Sequence, residues 1–247
     1  MKISDIFRGA GYLIEGFGLI RRPGLRRFVL LPLLINISIF VGMIYLGGSY
    51  FDQAMERLLP QSVGWLGYIL WPLFALLVLV ASFYSFTLIA NLIGGPFNDR
   101  LAEMVAERLS ARPNTDHGRS LVGDIGVSVV NELRKWLYFF GLFLMLLLIW
   151  LLTFWIPPLT LLMPLLWLLL AAWMLSVEYT DYPMSNQGMR FAEKRAWLRR
   201  HRSLAIGFGG ATLGATLIPI VNFAVMPAAV AGATILWVRH GNRTPST

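Results

Sequence analysis

The stretch that decides the fold class is 136–177, which reads WLYFFGLFLMLLLIWLLTFWIPPLTLLMPLLWLLLAAWMLSV. It contains no charged residue, and an uncharged apolar run of this length is typical of segments embedded in a lipid bilayer. Pro157 and Pro158 stand in its middle, where they interrupt a helix because proline lacks the backbone N–H and clashes with the preceding turn. The stretch therefore predicts a proline-tipped helical hairpin.

The composition of the whole chain agrees with this interpretation. Hydrophobic residues make up 57% of the 247 residues, charged residues make up 14%, and the mean hydropathy is +0.64. Soluble proteins contain about 25% charged residues. The chain has no cysteine, which excludes disulfides and thiolate metal sites, and its three histidines (His117, His201, His240) lack the spacing of metal ligands. We therefore expect an all-α integral membrane protein that is not an enzyme and needs neither a cofactor nor a metal ion.

Three further stretches lack charge, namely 28–50, 65–94 and 203–238. The first two are long enough to cross a hydrocarbon core of about 30 Å, so each predicts a full transmembrane helix. In the third stretch, 203–218 forms only about 24 Å of helix at ~1.5 Å per residue, which is too short to cross. We expect 203–238 to be a short hairpin and both hairpins to be partly re-entrant.

The remaining segments are amphipathic or basic. Residues 3–20 place apolar residues at helical spacing between charged ones, so we expect a helix on the membrane surface. Residues 96–135 predict amphipathic cytoplasmic helices, and 178–202, with six basic residues, predicts a basic cytoplasmic segment. Together with the apolar stretches, these segments form a single membrane domain over 1–247.

The basic residues are distributed unequally between the predicted loops. Of the 21 Lys and Arg residues, 20 fall on one side of the predicted topology. Because positively charged loops stay in the cytoplasm, this count predicts that the N- and C-termini are both cytoplasmic. The formal net charge of +8 does not indicate nucleic-acid binding, since the basic clusters alternate with long apolar runs instead of covering a polar surface.

The densest basic cluster is RRPGLRR at 21–27, directly before the first predicted span. It sets Arg26 and Arg27 beside a Pro-Gly turn at the head of a helix, where unpaired backbone N–H groups and the helix dipole favour an anion. Arginine forks match the oxygens of tetrahedral oxyanions, so the cluster suits an anion the size of sulfate. Basic clusters with this spacing more often bind lipid headgroups and anchor a protein to the membrane. An anion site and a lipid anchor both stay open.

Four sequence blocks carry a resemblance to a known family. They are RPGLRRF at 22–28 with LPL at 31–33, GPFN at 95–98 with LAE at 101–103, DYPM at 181–184 with Asn186, and IP at 218–219 with Asn222, Pro227, GAT at 232–234 and Trp237. In these blocks and in the order of its apolar stretches, the chain resembles the CysZ family of bacterial sulfate-uptake membrane proteins over nearly its whole length.

The resemblance implies a function, a location and a site. It implies sulfate import across the bacterial inner membrane for assimilation into cysteine, by a homo-oligomer, and it leaves open whether the protein is a channel or a proton-coupled transporter. It also implies that sulfate binds at Gly24, Leu25, Arg26 and Arg27. Because this element offers only donors, we expect sulfate and sulfite to bind more tightly than hydrogen phosphate, which carries a proton of its own. The expected partners are sulfate, sulfite, membrane lipids and further copies of the chain.

A second charged group follows the 65–94 stretch and consists of Asp99, Arg100, Glu103, Glu107 and Arg108. Unpaired carboxylates along the path of a dianion would repel it. The group is therefore either part of the pathway or a structural ion-pair network, and we favour the network. Further basic residues are available as its partners: Arg134 and Lys135.

Two motifs are interpreted as structural features and not as sites. The small residues of Gly210-x-x-x-Gly214 and Ala228-x-x-x-Gly232 allow helices to approach closely within the protein or between copies. The tripeptide Asp181-Tyr182-Pro183 predicts the end of a helix, with a buried partner for Asp181.

A different class of function remains open from the residues alone. The basic clusters of a membrane scaffold would bind anionic lipid, and its small-residue faces would assemble partner subunits without any transport. Sulfate flux through the purified protein discriminates between these two hypotheses.

Overall fold

The structure is a computed structural model that describes residues 2–58, 65–110 and 121–241. Within these ranges it contains nine α-helices and no β-strand, which confirms the predicted all-α class. The helices are α1 Ile3–Ile20, α2 Arg27–Leu58, α3 Gly67–Ser110, α4 Leu121–Thr153, α5 Pro157–Thr160, α6 Met163–Ser185, α7 Phe191–Arg200, α8 Arg202–Thr216 and α9 Pro219–Gly241.

The chain divides into two compact units. One contains Met1–Arg26 and Asn98–Thr247, and the other is Arg27–Phe97. α3 contributes residues to both units. The assignment of the whole chain to one membrane domain stays a prediction.

Four helices in the described part of the chain are long and apolar enough to cross a membrane: Arg27–Phe51, Val130–Thr153, Met163–Ser185 and Pro219–Gly241. The first covers the predicted 28–50 span. α3 covers most of the second predicted span, and the full crossing over 65–94 stays a prediction.

The two predicted hairpins differ in the lengths of their arms. The arms Val130–Thr153 and Met163–Ser185 have 24 and 23 residues, or roughly 35 Å of helix each. α8 has only 15 residues, roughly 22 Å, and is too short to cross a core of about 30 Å. Both tips expose large apolar side chains, including Trp155, Leu161 and Ile220. The re-entrant insertion of these tips stays a prediction.

α1 packs against α8 and α9 through close backbone contacts at glycine. A Cβ atom added to Gly9 would overlap the carbonyl oxygen of Leu204 in α8, and one added to Gly16 would overlap that of Ala228 in α9. Glu15 of α1 also accepts two hydrogen bonds from the guanidinium of Arg239, at 2.8 and 2.7 Å. These contacts fix one face of α1 inside the first unit.

The opposite face of α1 exposes apolar side chains at Ile3, Phe7 and Ile14. An exposed apolar face is compatible with a helix that lies on a membrane. The predicted surface location of 3–20 stays a prediction.

Candidate anion-binding site

The basic loop between α1 and α2 forms a tight turn. The N–H of Arg22 donates to the carbonyl of Leu19 at 3.0 Å, and the Arg22 carbonyl accepts from the N–H groups of Leu25 at 3.1 Å and Arg26 at 3.3 Å. α2 begins one residue later at Arg27, so the turn directly precedes a helix N-terminus. The Leu25 N–H is bonded within the turn, which differs from the expectation that it points outward as a donor for an anion.

Gly24 has a backbone conformation that only glycine adopts readily. Its φ is +87°, in the left-handed region where a Cβ is strained. A Cβ atom added at this position would also lie 2.9 Å from Nη2 of Arg108. The positive φ therefore favours glycine at position 24, and a Cβ there would also displace the end of the Arg108 side chain.

The side chains of the turn have different surroundings. Leu25 is completely buried, whereas Arg26 and Arg27 are exposed. The guanidinium of Arg27 lies 5.2 Å from the ring centroid of Phe28, within the range of a cation–π interaction. Leu25 thus anchors the turn, and both arginine side chains reach solvent.

Arg108 lies at the turn and not in the predicted ion-pair network. Its Nη2 donates to the carbonyl oxygen of Pro23 at 3.0 Å, across 85 residues of sequence. No carboxylate of the described residues lies within ion-pair distance of its guanidinium. The structure therefore adds a third arginine beside the Pro23-Gly24 peptide.

The other members of the predicted network do not form a continuous set of ion pairs. Arg100 and Glu103 are joined at 2.6 Å, with side chains 54% and 31% exposed, so this pair is largely solvated and contributes little to stability. Asp99 is influenced by charges outside α3 as well, namely those of Asp181 and Lys194. Burial is the main cause that raises the pKa of the Asp99 carboxyl to about 6, the negative charges of Asp181 and Glu103 raise it further, and Lys194 opposes them.

The raised pKa of Asp99 makes the stability of the fold depend on pH. The folded protein binds this proton more tightly than the unfolded chain, whose aspartate has a pKa of about 3.8. The group therefore contributes stability that is fully present below pH ~4 and is lost as the pH rises through about 6.

A set of charges around two buried lysines, which the sequence analysis did not identify as a group, joins α4, the C-terminal part of α6 and α7. We call it the lysine–carboxylate cluster. Nζ of Lys194 lies 2.6 Å from Asp181, and Nζ of Lys135 lies 2.9 Å from Glu132, 3.0 Å from Glu178 and 3.7 Å from Asp181. The lysine side chains are only 6% (Lys135) and 4% (Lys194) exposed.

The cluster connects three helices through its two lysines. Lys194 of α7 binds Asp181 and also donates to the hydroxyl of Ser185, both near the end of α6. Lys135 joins α4 to α6 through Glu178 and Asp181. A buried ammonium group is tolerated only when it is paired and hydrogen-bonded, so these contacts constrain how the three helices pack.

A signal for Lys194 is present in the sequence. Phe191, Lys194 and Leu198 recur at the spacing of one helix face, and all three are buried in α7. A lysine on an apolar face requires a carboxylate partner, and Asp181 was already expected to have one. Combining these two observations would have predicted the pair.

The fold and the turn together define a class of protein. Several apolar helices long enough to span a bilayer, with exposed arginines on a turn before one of them, define a multi-pass membrane protein with a candidate site for an inorganic anion. The chain belongs to the family described as "Sulfate transporter CysZ/Etoposide-induced protein 2.4", whose model matches residues 12–227. This membership confirms the resemblance and agrees with the prediction that the chain is not an enzyme.

Curated relatives match nearly the whole chain. A protein named "Sulfate transporter CysZ" from Pseudomonas fluorescens (strain Pf0-1) is 42% identical over 247 residues, covering 96% of this chain and 95% of the relative. Its namesake from Pseudomonas aeruginosa (strain LESB58) is 44% identical over 237 residues, with coverage of 94% and 95%. One from Vibrio cholerae serotype O1 (strain M66-2) is 42% identical, with coverage of 96% and 95%. The matched region includes the arginine turn and most of the helices.

Proposed function

We propose that this protein carries sulfate across the bacterial inner membrane into the cell, where it supplies sulfur for cysteine synthesis. The observation that carries the proposal is the 42–44% identity, over nearly the whole chain, to proteins named sulfate transporters. The alternative of a scaffold without transport has no comparable support, because these relatives are named for transport.

Sulfate binds, in this proposal, at Gly24, Leu25, Arg26 and Arg27. A dianion that leaves water needs fixed donors in place of its hydration shell. The exposed guanidinium groups of Arg26 and Arg27 supply charged donors whose forks fit two sulfate oxygens each. Gly24 shapes the turn through its positive φ, and the buried Leu25 holds it in place.

The remaining parts of the proposal concern location and assembly. The charge distribution of the sequence supports cytoplasmic N- and C-termini in the inner membrane. Exposed apolar hairpin tips support contacts with lipid and with further copies of the chain in a homo-oligomer. Sulfite, which has the same acceptors as sulfate, is a second ligand of the same site.

Liposomes containing only this protein are expected to take up radiolabelled sulfate. The double variant Arg26→Ala, Arg27→Ala should raise the half-saturating sulfate concentration at least tenfold, because each charge-assisted contact contributes about 1.5–3 kcal/mol. Unlabelled sulfite should compete more strongly than hydrogen phosphate. Uptake driven by the sulfate gradient alone indicates a channel, and uptake that needs a pH gradient indicates proton coupling.

The control for the double variant is Arg199→Ala with Arg200→Ala, which removes two exposed arginines of α7 and the same net charge. Wild-type affinity in the Arg26 and Arg27 double variant would refute the site. Absence of uptake by the wild type with and without a pH gradient would refute transport and favour the scaffold.

Reporter fusions test the orientation. A reporter active only in the cytoplasm should work when it is fused after Arg112 and at Thr247, because 20 of 21 basic residues lie on that side of the predicted topology. A fusion after Gln61, between the two predicted spans, is the matched control and should give a signal only with a periplasmic reporter. Equal cytoplasmic and periplasmic signals at 112 and 247 would mean mixed insertion.

A further inference from the structure

The guanidinium of Arg108 lies against the Pro23-Gly24 peptide of the turn. Arg108 lies near the C-terminal end of α3, and its Nη2 donates to the Pro23 carbonyl at 3.0 Å. The same atom would lie 2.9 Å from a Cβ at Gly24, so the guanidinium lies directly against the Cα of that glycine. Any larger residue at position 24 would displace the arginine.

The guanidinium of Arg108 retains most of its capacity as a donor. Arginine carries five N–H donors, and the contact with Pro23 uses one of them. The preceding arginine of the helix, Arg100, is committed to Glu103, whereas no carboxylate among the described residues pairs with Arg108. The side chain is exposed, so its charge faces the same solvent as Arg26.

We infer that Arg108 is a third sulfate-contacting arginine, which binds the anion with its remaining N–H groups while it holds the Pro23-Gly24 turn; this rests on the proposed sulfate site. Two effects favour this role. A third positive charge next to a dianion offsets the cost of removing the anion from water. The Pro23 carbonyl, an acceptor that would repel an anion beside it, is covered by the arginine's own N–H.

Two variants separate contact with the anion from support of the turn. Glutamine at position 108 removes the positive charge and also ends two atoms short of the arginine Nη2 that contacts the Pro23 carbonyl. Lysine keeps the charge but presents it as a single point without the fork that binds two atoms at once. A residue that only supports the turn tolerates Arg108→Lys, which keeps a charged donor for the Pro23 carbonyl, whereas a residue that binds sulfate with its fork does not.

The experiment is calorimetric titration of sulfate into the full chain in detergent, at several salt concentrations. Arg108→Gln should weaken sulfate binding ten- to hundredfold, which corresponds to the loss of one charge-assisted contact. Arg108→Lys should bind with intermediate affinity. The matched control is Arg199→Gln, which removes one exposed arginine of α7 in the same unit and should bind as tightly as the wild type at every salt concentration.

The outcomes separate this inference from the proposed function. Equal affinities in Arg108→Gln and Arg199→Gln, with sulfate binding by the wild type and its loss in Arg26→Ala, Arg27→Ala, would overturn the role of Arg108 and leave the proposed site standing. No sulfate binding by the wild type would refute the proposed site itself. Thermal unfolding reports the folding of each variant. If Arg108→Gln does not fold, Arg108→Lys decides, because a severalfold loss supports contact and wild-type affinity overturns it.

Discussion

Replacing Lys194 with methionine is expected to destabilise the fold by about 3–5 kcal/mol, the usual cost of breaking a buried ion pair. The substitution keeps the volume of the side chain but removes the ammonium group that binds Asp181 at 2.6 Å and the hydroxyl of Ser185. Among the described residues, Lys135 at 3.7 Å is then the remaining cation partner of Asp181. Thermal unfolding of the detergent-solubilised protein, followed by circular dichroism, measures the change.

Two further variants test the physical cause. Arg199→Met, on the exposed side of α7, removes a basic residue without a buried partner and should change stability by less than ~0.5 kcal/mol. Adding Asp181→Leu to Lys194→Met should restore part of the loss, because the uncompensated carboxylate is then absent and Lys135 keeps Glu132 and Glu178. A double variant less stable than Lys194→Met would contradict the ion-pair explanation.

The helices could be predicted because they depend on uncharged residues that are continuous in the sequence. Long uncharged runs are helical in a bilayer, and the runs at 28–50 and 136–177 are helical in the structure. The helices extend beyond these runs, since α2 continues to Leu58, α4 begins at Leu121 and α6 ends at Ser185. The predicted helix end at Asp181-Tyr182-Pro183 was displaced, since α6 continues through Pro183 to Ser185. α3 likewise continues through Pro96.

The partners of the charged residues could not be predicted from spacing. Lys135 was expected to form ion pairs with the carboxylates of α3. It pairs with Glu132, Glu178 and Asp181 instead. Arg108, expected in the same network, lies at the turn of Pro23. Such pairs join residues that are distant in sequence, so they depend on which helix faces meet, and composition along one helix does not contain that information.

The arginine turn was predictable in part. Its Pro-Gly pair and its place before a helix follow from the residues, and the structure has both features. The bonding of the Leu25 N–H to Arg22 depends on how the chain closes the turn, which the residue types do not specify. The contact of Arg108 in α3 with the turn was not predicted, because Arg108 is 84 residues beyond Gly24 in the sequence.

Glycine pairs show the same limit on prediction. Gly210 and Gly214 were grouped with Ala228 and Gly232 as close-packing residues, but an added Cβ at Gly210 or Gly214 meets nothing within 4 Å. Gly232 does approach the backbone of α1 at Tyr12. The motif indicates that a helix can be approached closely, and only the tertiary arrangement decides which glycine is used.

Replacing Gly209 with alanine is expected to destabilise the protein by about 3 kcal/mol or more, at the upper end of the range for overpacking. The new methyl group would overlap the carbonyl oxygen of Ala172 in α6 and would lie 2.6 Å from Oγ of Ser176. The clash is with backbone, which cannot rotate away, so α6 and α8 must separate. That separation also strains the hydrogen bond from the Ser176 hydroxyl to the Ala205 carbonyl.

The neighbouring residue in α8 supplies the control for this prediction. A Cβ at Gly210 meets nothing within 4 Å, so Gly210→Ala introduces the same atom into the same helix without a clash. It should leave the fold intact and stabilise it by up to ~1 kcal/mol, because alanine favours a helix more than glycine does. Thermal unfolding of both variants in one detergent compares them directly. Equal melting temperatures would show that α6 and α8 do not approach each other through Gly209, since only a close backbone contact makes adjacent glycines respond differently.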